Sequence, residues 1–134
     1  MYLLDTNVLS ELPRKKPDAR VVEWMGQQEQ IAISAITIEE LEYGVRRAEG
    51  SVRGRLQVWF GKLLELSPFV IPVDEKIALA AGSLRASRES NGRPVAQADM
   101  LIAATAVTTG RILVTRNTRD FESCGVALFN PFSD

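Results

Sequence analysis

The chain of 134 residues contains no histidine and only one cysteine. Without histidine there are no Ser/His or Cys/His catalytic pairs, no histidine general base and no imidazole metal ligand. A single cysteine, Cys124, excludes an internal disulfide and any CxxC zinc or redox site, and it reads as a small packing residue in a reducing compartment. Excess charge of one sign is missing as well. Sixteen Lys and Arg against seventeen Asp and Glu leave a net charge of −1, so no global positive field gathers nucleic acid and any such binding must be local. No segment approaches the roughly 18 apolar residues of a membrane span. The opening MYLLDTNVLSEL also lacks the basic n-region of a secretory leader. A cytoplasmic protein with no membrane contact is expected, and carboxylates are what remains for chemistry.

The chain has the size of one domain, 1–134, with one core. About half the residues are apolar and a quarter charged, the balance of an ordinary globular protein. Tyr2-Leu3-Leu4 reads as a strand ending at Asp5-Thr6-Asn7, after which Val8, Leu9 and Leu12 repeat at helical spacing. Pro13 to Pro17 is a loop, and Asp18 caps a helix carrying Val21, Val22, Trp24 and Met25. Ile31 to Ile36 is β-branched enough for a second strand. Thr37-Ile38-Glu39-Glu40 has the form of a capping box, which would start a helix at Thr37. Leu56, Trp59, Phe60, Leu63 and Leu64 share a helical face, for which core is favoured over interface. Pro68 to Val73 is too rich in proline for a central strand and reads as an edge segment or an extended connection. Asp74 caps a helix through Arg88; Asn91 to Pro94 is a loop; Val95 to Val107, apolar nearly all round, suits a helix buried in the domain. Gly110 ends that helix. Ile112-Leu113-Val114 is a further strand, and Val126 to Phe129 a last one. Strands alternating with helices predict an α/β fold, a three-layer α/β/α arrangement around a mainly parallel sheet of about four to five strands.

In such sheets ligands collect beyond the carboxyl ends of the strands. That rule selects four of the acids. Asp5 follows the first strand, Glu40 lies in the first turn after the second, Asp120 sits a few residues past the Ile112–Val114 strand, and Asp99 opens the buried helix. Each also has a bland explanation: an N-cap for Asp5, a capping box for Glu40, a helix-dipole partner for Asp99, a turn for Asp120. Together they ask for more. Two carboxylates about 4 Å apart repel by roughly 4 kcal/mol at an effective dielectric near 20, so a cluster must take up protons or a cation. All-oxygen ligands favour Mg²⁺, with Mn²⁺ as a substitute. Such an ion lowers the pKa of a water and stabilises charge on phosphate, which points to phosphodiester hydrolysis.

Four segments in order, LLDTNVLSE, SAITIEELEYG, ADMLIAATA and LVTRNTRDF, resemble the PIN-domain nucleases and, within them, the VapC and FitB toxins of bacterial toxin–antitoxin pairs. The resemblance implies a Mg²⁺-dependent endoribonuclease whose catalytic and metal-binding carboxylates are Asp5, Glu40, Asp99 and Asp120. The place of Asn117 often holds an aspartate in that family. Here it is an amide, which leaves Asp120 as the fourth acid and implies weaker or water-mediated metal contacts. Thr6, Asn7, Thr115, Arg116 and Asn117 belong to the same motifs and are candidates for substrate contact; for Thr6, Asn7 and Thr115, satisfying strand-end backbone groups is an equally good reading. RNA phosphates would be held by some of Arg14, Lys15, Lys16, Arg46, Arg47, Arg93 and Arg116, among which Arg116 is placed beside the pocket by its motif. The resemblance also implies a homodimer and a VapB-like antitoxin inserted in the acidic groove, with operator DNA bound through that antitoxin.

Two other functions compete. One is a PIN-fold binding module in a protein–DNA regulatory complex with weak or no nuclease activity, which Asn117 keeps open. The other is a phosphatase or similar metal hydrolase, for which the DxD motif is absent at Asp5-Thr6-Asn7 and no phosphate-binding glycine loop exists.

Overall fold

A computed structural model describes residues 1–133. Five short strands, β1 (Tyr2–Leu4), β2 (Ala32–Ser34), β3 (Phe69–Ile71), β4 (Ile112–Val114) and β5 (Leu128–Phe129), form one sheet in the order β3-β2-β1-β4-β5. Every pairing is parallel, with Leu4 beside both Ile33 and Val114. The helices are α1 (Thr6–Glu11), α2 (Ala19–Gly26), α3 (Ala35–Arg47), α4 (Gly50–Glu65), α5 (Glu75–Ser90) and α6 (Gln97–Thr109). A 3-10 turn, Thr118–Phe121, follows β4.

The period of two along each central strand divides the core. Leu3, Ala32 and Leu113 face the layer built on α5 and α6, where Ile77, Ala81, Met100 and Ile102 are buried. Their neighbours Leu4, Ile33 and Val114 face the opposite layer with Val8 and Leu9 of α1, Val21 of α2, Leu41 of α3 and Phe60 of α4. Helices therefore cover both faces, giving the expected three layers, and parallel strands buried on both sides account for the unbroken apolar runs in the sequence. Phe60 belongs to the core, as expected, whereas Trp59 is half-buried. Pro68 and Pro72 flank β3, which lies at the sheet edge, where a missing donor is harmless. Among the described residues, no helix is long and apolar enough to cross a membrane.

Two helix starts differ from the sequence reading. The helix expected from Thr37 begins at Ala35, capped by Ser34, whose hydroxyl accepts from the Ile36 amide at 3.0 Å. The second strand is correspondingly cut to three residues. Ser34 wins because it ends the strand in extended geometry and already holds an N-cap oxygen there. Thr37 then falls inside the helix and is fully buried, so the capping box does not exist and Glu40 stands in the second turn. The buried helix starts at Gln97, two residues later than expected, after a cap at Ala96 that makes no side-chain bond. The last strand spans only Leu128–Phe129. Asp18 and Asp74 cap α2 and α5 as expected.

Gly110 closes α6 in the left-handed region, φ 66° and ψ 33°. A Cβ there meets nothing within 4 Å, so an alanine pays only for the backbone. Gly110→Ala should lower stability by about 1–2 kcal/mol, read as a shift in the urea midpoint with an unchanged slope.

Candidate active site

Residues immediately past β1, β2 and β4 converge because parallel pairing brings the carboxyl ends of those strands side by side. Asp5 is held between its neighbours by backbone first: its amide donates to the Val114 carbonyl at 2.9 Å, extending the ladder one residue beyond the strand. Its side chain is then gripped from three directions. Oδ1 caps α1 by accepting from the Thr6 amide at 2.8 Å. Oδ2 accepts from the Thr115 hydroxyl at 2.8 Å and from Asn7 Nδ2 at 3.2 Å. The expected N-cap role is real, and the same carboxylate faces the acidic site.

Thr115 is fully buried, and its oxygen has no capacity left. It donates to Asp5 and accepts from Asn7 Nδ2 at 3.3 Å and the Asn117 amide at 3.0 Å. Asn7 is likewise engaged, since its Oδ1 accepts from the Arg116 amide at 3.3 Å. These two residues tie the loop after β4 to the start of α1 and orient Asp5, a positioning role that replaces the substrate contact considered for Thr115. Thr6 bridges to the third strand end: its hydroxyl donates to Glu40 Oε1 at 2.6 Å and lies 3.1 Å from the Thr37 hydroxyl. Arg116 and Asn117 have exposed side chains, and the Arg116 guanidinium lies over the Phe132 ring, 4.9 Å from its centroid.

The electrostatics identify which acids share the site. Burial of Asp5, only 5% exposed, pushes its pKa from 3.8 up to about 6; hydrogen bonds from Thr115 and Thr6 oppose the rise, and Asp99 and Glu40 add repulsion. Asp99, half-buried in the first turn of α6, is also raised, by burial first and then by Glu40 and Asp120. The four acids chosen from the sequence therefore act on one another. Among the described residues the ion pairs are Arg14–Glu11, Arg46–Glu42 and Arg85–Glu89, and none of them neutralises this group.

No three carboxylates among the described residues come close enough to enclose an ion by themselves. An ion held there would have to keep most of its water and take one or two carboxylates directly, as Mg²⁺ habitually does. Asp5 and Asp99 are the firmest candidates for direct ligation, Glu40 the next, and Asp120, exposed on the 3-10 turn, an outer contact.

Beside the acids runs a groove of about 550 Å³ between α1, α3 and α4, lined by Thr6, Glu40, Tyr43, Leu56 and Trp59 among others. Of the basic candidates, Arg14 is held by Glu11, Arg46 by Glu42, and Arg47 lies over the Tyr43 ring. Lys15, Lys16 and Arg93 are exposed. Three residues with structural work were not read for it from the sequence: Thr37, taken for a helix cap, buried Glu11, which accepts from the Asp18 amide at 2.8 Å, and Arg88, read only as part of a helical repeat. Their common signal is a polar side chain on an apolar face.

Thr115→Val would strip a charge-assisted bond from a buried carboxylate and leave the Asn117 amide without its acceptor. It should cost about 2–3 kcal/mol at neutral pH and move Asp5 above its present pKa, since Thr115 is the largest influence holding that value down. Urea unfolding and carboxyl NMR titration measure the two effects.

Residues 2–125 match the family model described as PIN domain. The chain is 36% identical to VapC ribonuclease Y4jK of Sinorhizobium fredii, over 98% of each protein. It is 37% identical to Toxin FitB of Neisseria gonorrhoeae, over 100% of both. The structure of FitAB bound to an IR36 DNA fragment superposes with a TM-score of 0.86 at 35% identity, covering 98% of this chain and 95% of that one.

Proposed function

The chain belongs to the PIN-domain family, and from that membership and the geometry of its acids we propose that it is a metal-dependent endoribonuclease, the toxin of a toxin–antitoxin pair. The observation that carries this reading is Asp5: a carboxyl group almost completely buried, raised to about 6, facing Asp99 and Glu40 with no ion pair among the described residues to offset it. Keeping such a group in the folded state is costly, and a hard cation recovers that cost. The relatives named as ribonuclease and toxin support the same activity.

Asp5 and Asp99, with Glu40 beside them, are the residues that would hold Mg²⁺ or Mn²⁺. When bound, such an ion supplies Lewis acidity to the scissile phosphate and lowers the pKa of the attacking water. The remaining work falls to the chain. Thr115, Thr6 and Asn7 fix both Asp5 oxygens, and Thr6 fixes Glu40, so these two acids are oriented before anything arrives. Asp120, exposed on the 3-10 turn, is the carboxylate that would accept a proton from water. Exposed Lys15, Lys16 and Arg93 would contact RNA phosphates, with Arg116 beside the pocket as a further candidate. The groove along α3 and α4 fits a VapB-like antitoxin segment that buries apolar side chains on Leu56 and Trp59 and sets a basic one near Glu40; operator DNA would be bound through that partner, as the FitAB–DNA complex supports. A homodimer completes the proposal.

Purified protein freed of antitoxin should cut members of a broad RNA panel with Mg²⁺ or Mn²⁺ and lose that activity in Asp99→Asn. No cleavage of any RNA, or full cleavage by the variant, would overturn the enzymatic reading. Asn117 favours a second one, a regulatory module with little nuclease activity. Calorimetry on the wild type and Asn117→Asp separates them: a nuclease binds Mn²⁺ as it stands, whereas a module gains measurable binding only when the aspartate is installed.

A further inference from the structure

Arg88 lies on α5, outside every motif that marks the site, and is only 7% exposed. A buried guanidinium ordinarily requires an anionic partner. Here its partners are neutral: Nη2 donates to the carbonyl of Asp120 at 2.9 Å, Nη1 donates to the carbonyl of Glu122, and Nη1 also lies 3.8 Å from Cys124 Sγ. Nε has no partner among the described residues. With Asp99 and Asp120 the side chain also lines a cavity of about 140 Å³.

The segment that Arg88 grips has little else to orient it. Four residues of 3-10 helix have poor hydrogen-bond geometry. The turn is closed by Asp120 N to Asn117 O at 3.0 Å and Cys124 N to Phe121 O at 3.2 Å. Phe121 and Cys124 anchor it in the core, but both follow Asp120, which is itself exposed and has no core contact of its own. Two residues past Phe121, Ser123 has φ 69°, a left-handed conformation that a serine adopts only at a cost. The planar fork of an arginine takes two carbonyls at once in fixed directions, and it does so on either side of Phe121.

We propose that Arg88 is a positioning residue for the fourth carboxylate: by clamping the Asp120 and Glu122 carbonyls to α5, it fixes the turn that presents Asp120 to Asp99. The inference rests on the nuclease reading for its consequence, though the clamp itself does not need it. In Arg88→Met, amides of residues 118–124 should exchange roughly tenfold faster or more while those of α6 keep their rates, because an opened local unit exchanges independently of the rest. Mn²⁺ affinity measured by calorimetry should fall roughly tenfold, the usual scale for loss of an outer-shell support. In an Asp120→Asn background, Arg88→Met should change Mn²⁺ affinity no further, since both substitutions remove the same contact.

Equal losses of affinity in both backgrounds, or exchange rising throughout the protein, would overturn the proposal in favour of general stabilisation. Should Arg88→Met not fold, Arg88→Lys keeps charge and length without the fork and must show the same local exchange signature for the proposal to stand. If the wild type neither cuts RNA nor binds Mn²⁺ but residues 118–124 still depend on Arg88, the nuclease reading fails and the clamp survives. Normal exchange in an active Arg88→Met enzyme sinks the clamp alone.

Discussion

Asp5→Asn should abolish RNA cleavage, since it removes a carboxylate that would hold the ion, and at the same time make the ion-free protein more stable at neutral pH. The two effects have one origin. Raising the Asp5 pKa from 3.8 to about 6 means that the ionised side chain is disfavoured in the native state by about 3 kcal/mol. Asparagine removes that charge. It retains an oxygen for the Thr6 amide, but its NH₂ then meets donors from Thr115 and Asn7, which returns about 1–2 kcal/mol. A net gain of about 1–2 kcal/mol is expected in urea unfolding at pH 7 with chelator present. A loss of stability together with full activity would contradict both the electrostatics and the role assigned to Asp5.

The second large effect is a crossover with pH. Because the folded-state pKa of Asp5 lies above its unfolded value, the native state binds the extra proton. The stability associated with this group is complete below about pH 4, falls as pH rises through about 6, and is absent above it. Metal binding runs the other way. An ion must displace that proton, and any held by Asp99, whose pKa is also raised. Apparent Mn²⁺ affinity should therefore drop about tenfold per pH unit below 6 for one proton, and more steeply if both carboxyls are protonated. At a hundredfold excess over Kd the ion adds about 2.7 kcal/mol to stability, which chelation removes together with cleavage. Thermal melts at pH 7 and pH 5, with Mn²⁺ and with EDTA, test this. The increment from metal should be large at pH 7 and small at pH 5, while this group's contribution to the ion-free protein has the opposite order. An increment independent of pH would show that neither Asp5 nor Asp99 touches the ion.

Much of the site was legible because strand ends in a parallel sheet are legible. An apolar triplet followed by Asp5, and another followed by Thr115, needed only periodicity and turn chemistry to be placed. Glu40 was placed near the end of β2 for the wrong local reason. A capping box at Thr37 and a helix beginning at Ala35 both put the glutamate near the end of β2, but only the structure shows that Ser34 is the cap and that Thr37 is buried against Thr6. Local hydrogen-bond motifs compete on nearly equal terms, and tertiary burial chooses between them. Thr115 illustrates the same limit: its type and position suit substrate contact, yet its three hydrogen bonds are all internal.

What the sequence determined alone was the layer order, the parallel sheet and which acids lie near the strand ends, since these depend on periodicities of two and 3.6 and on which residue follows each strand. Absence of histidine and of paired cysteine had already narrowed the chemistry to carboxylates. The tertiary structure alone decided how those acids are supported. Asp5 becomes perturbed because elements distant in sequence bury it, and Asp120 is presented by a turn that an arginine 32 residues earlier holds through backbone carbonyls. Carbonyls are common to every residue, so a contact made to them leaves no trace in the partner's identity.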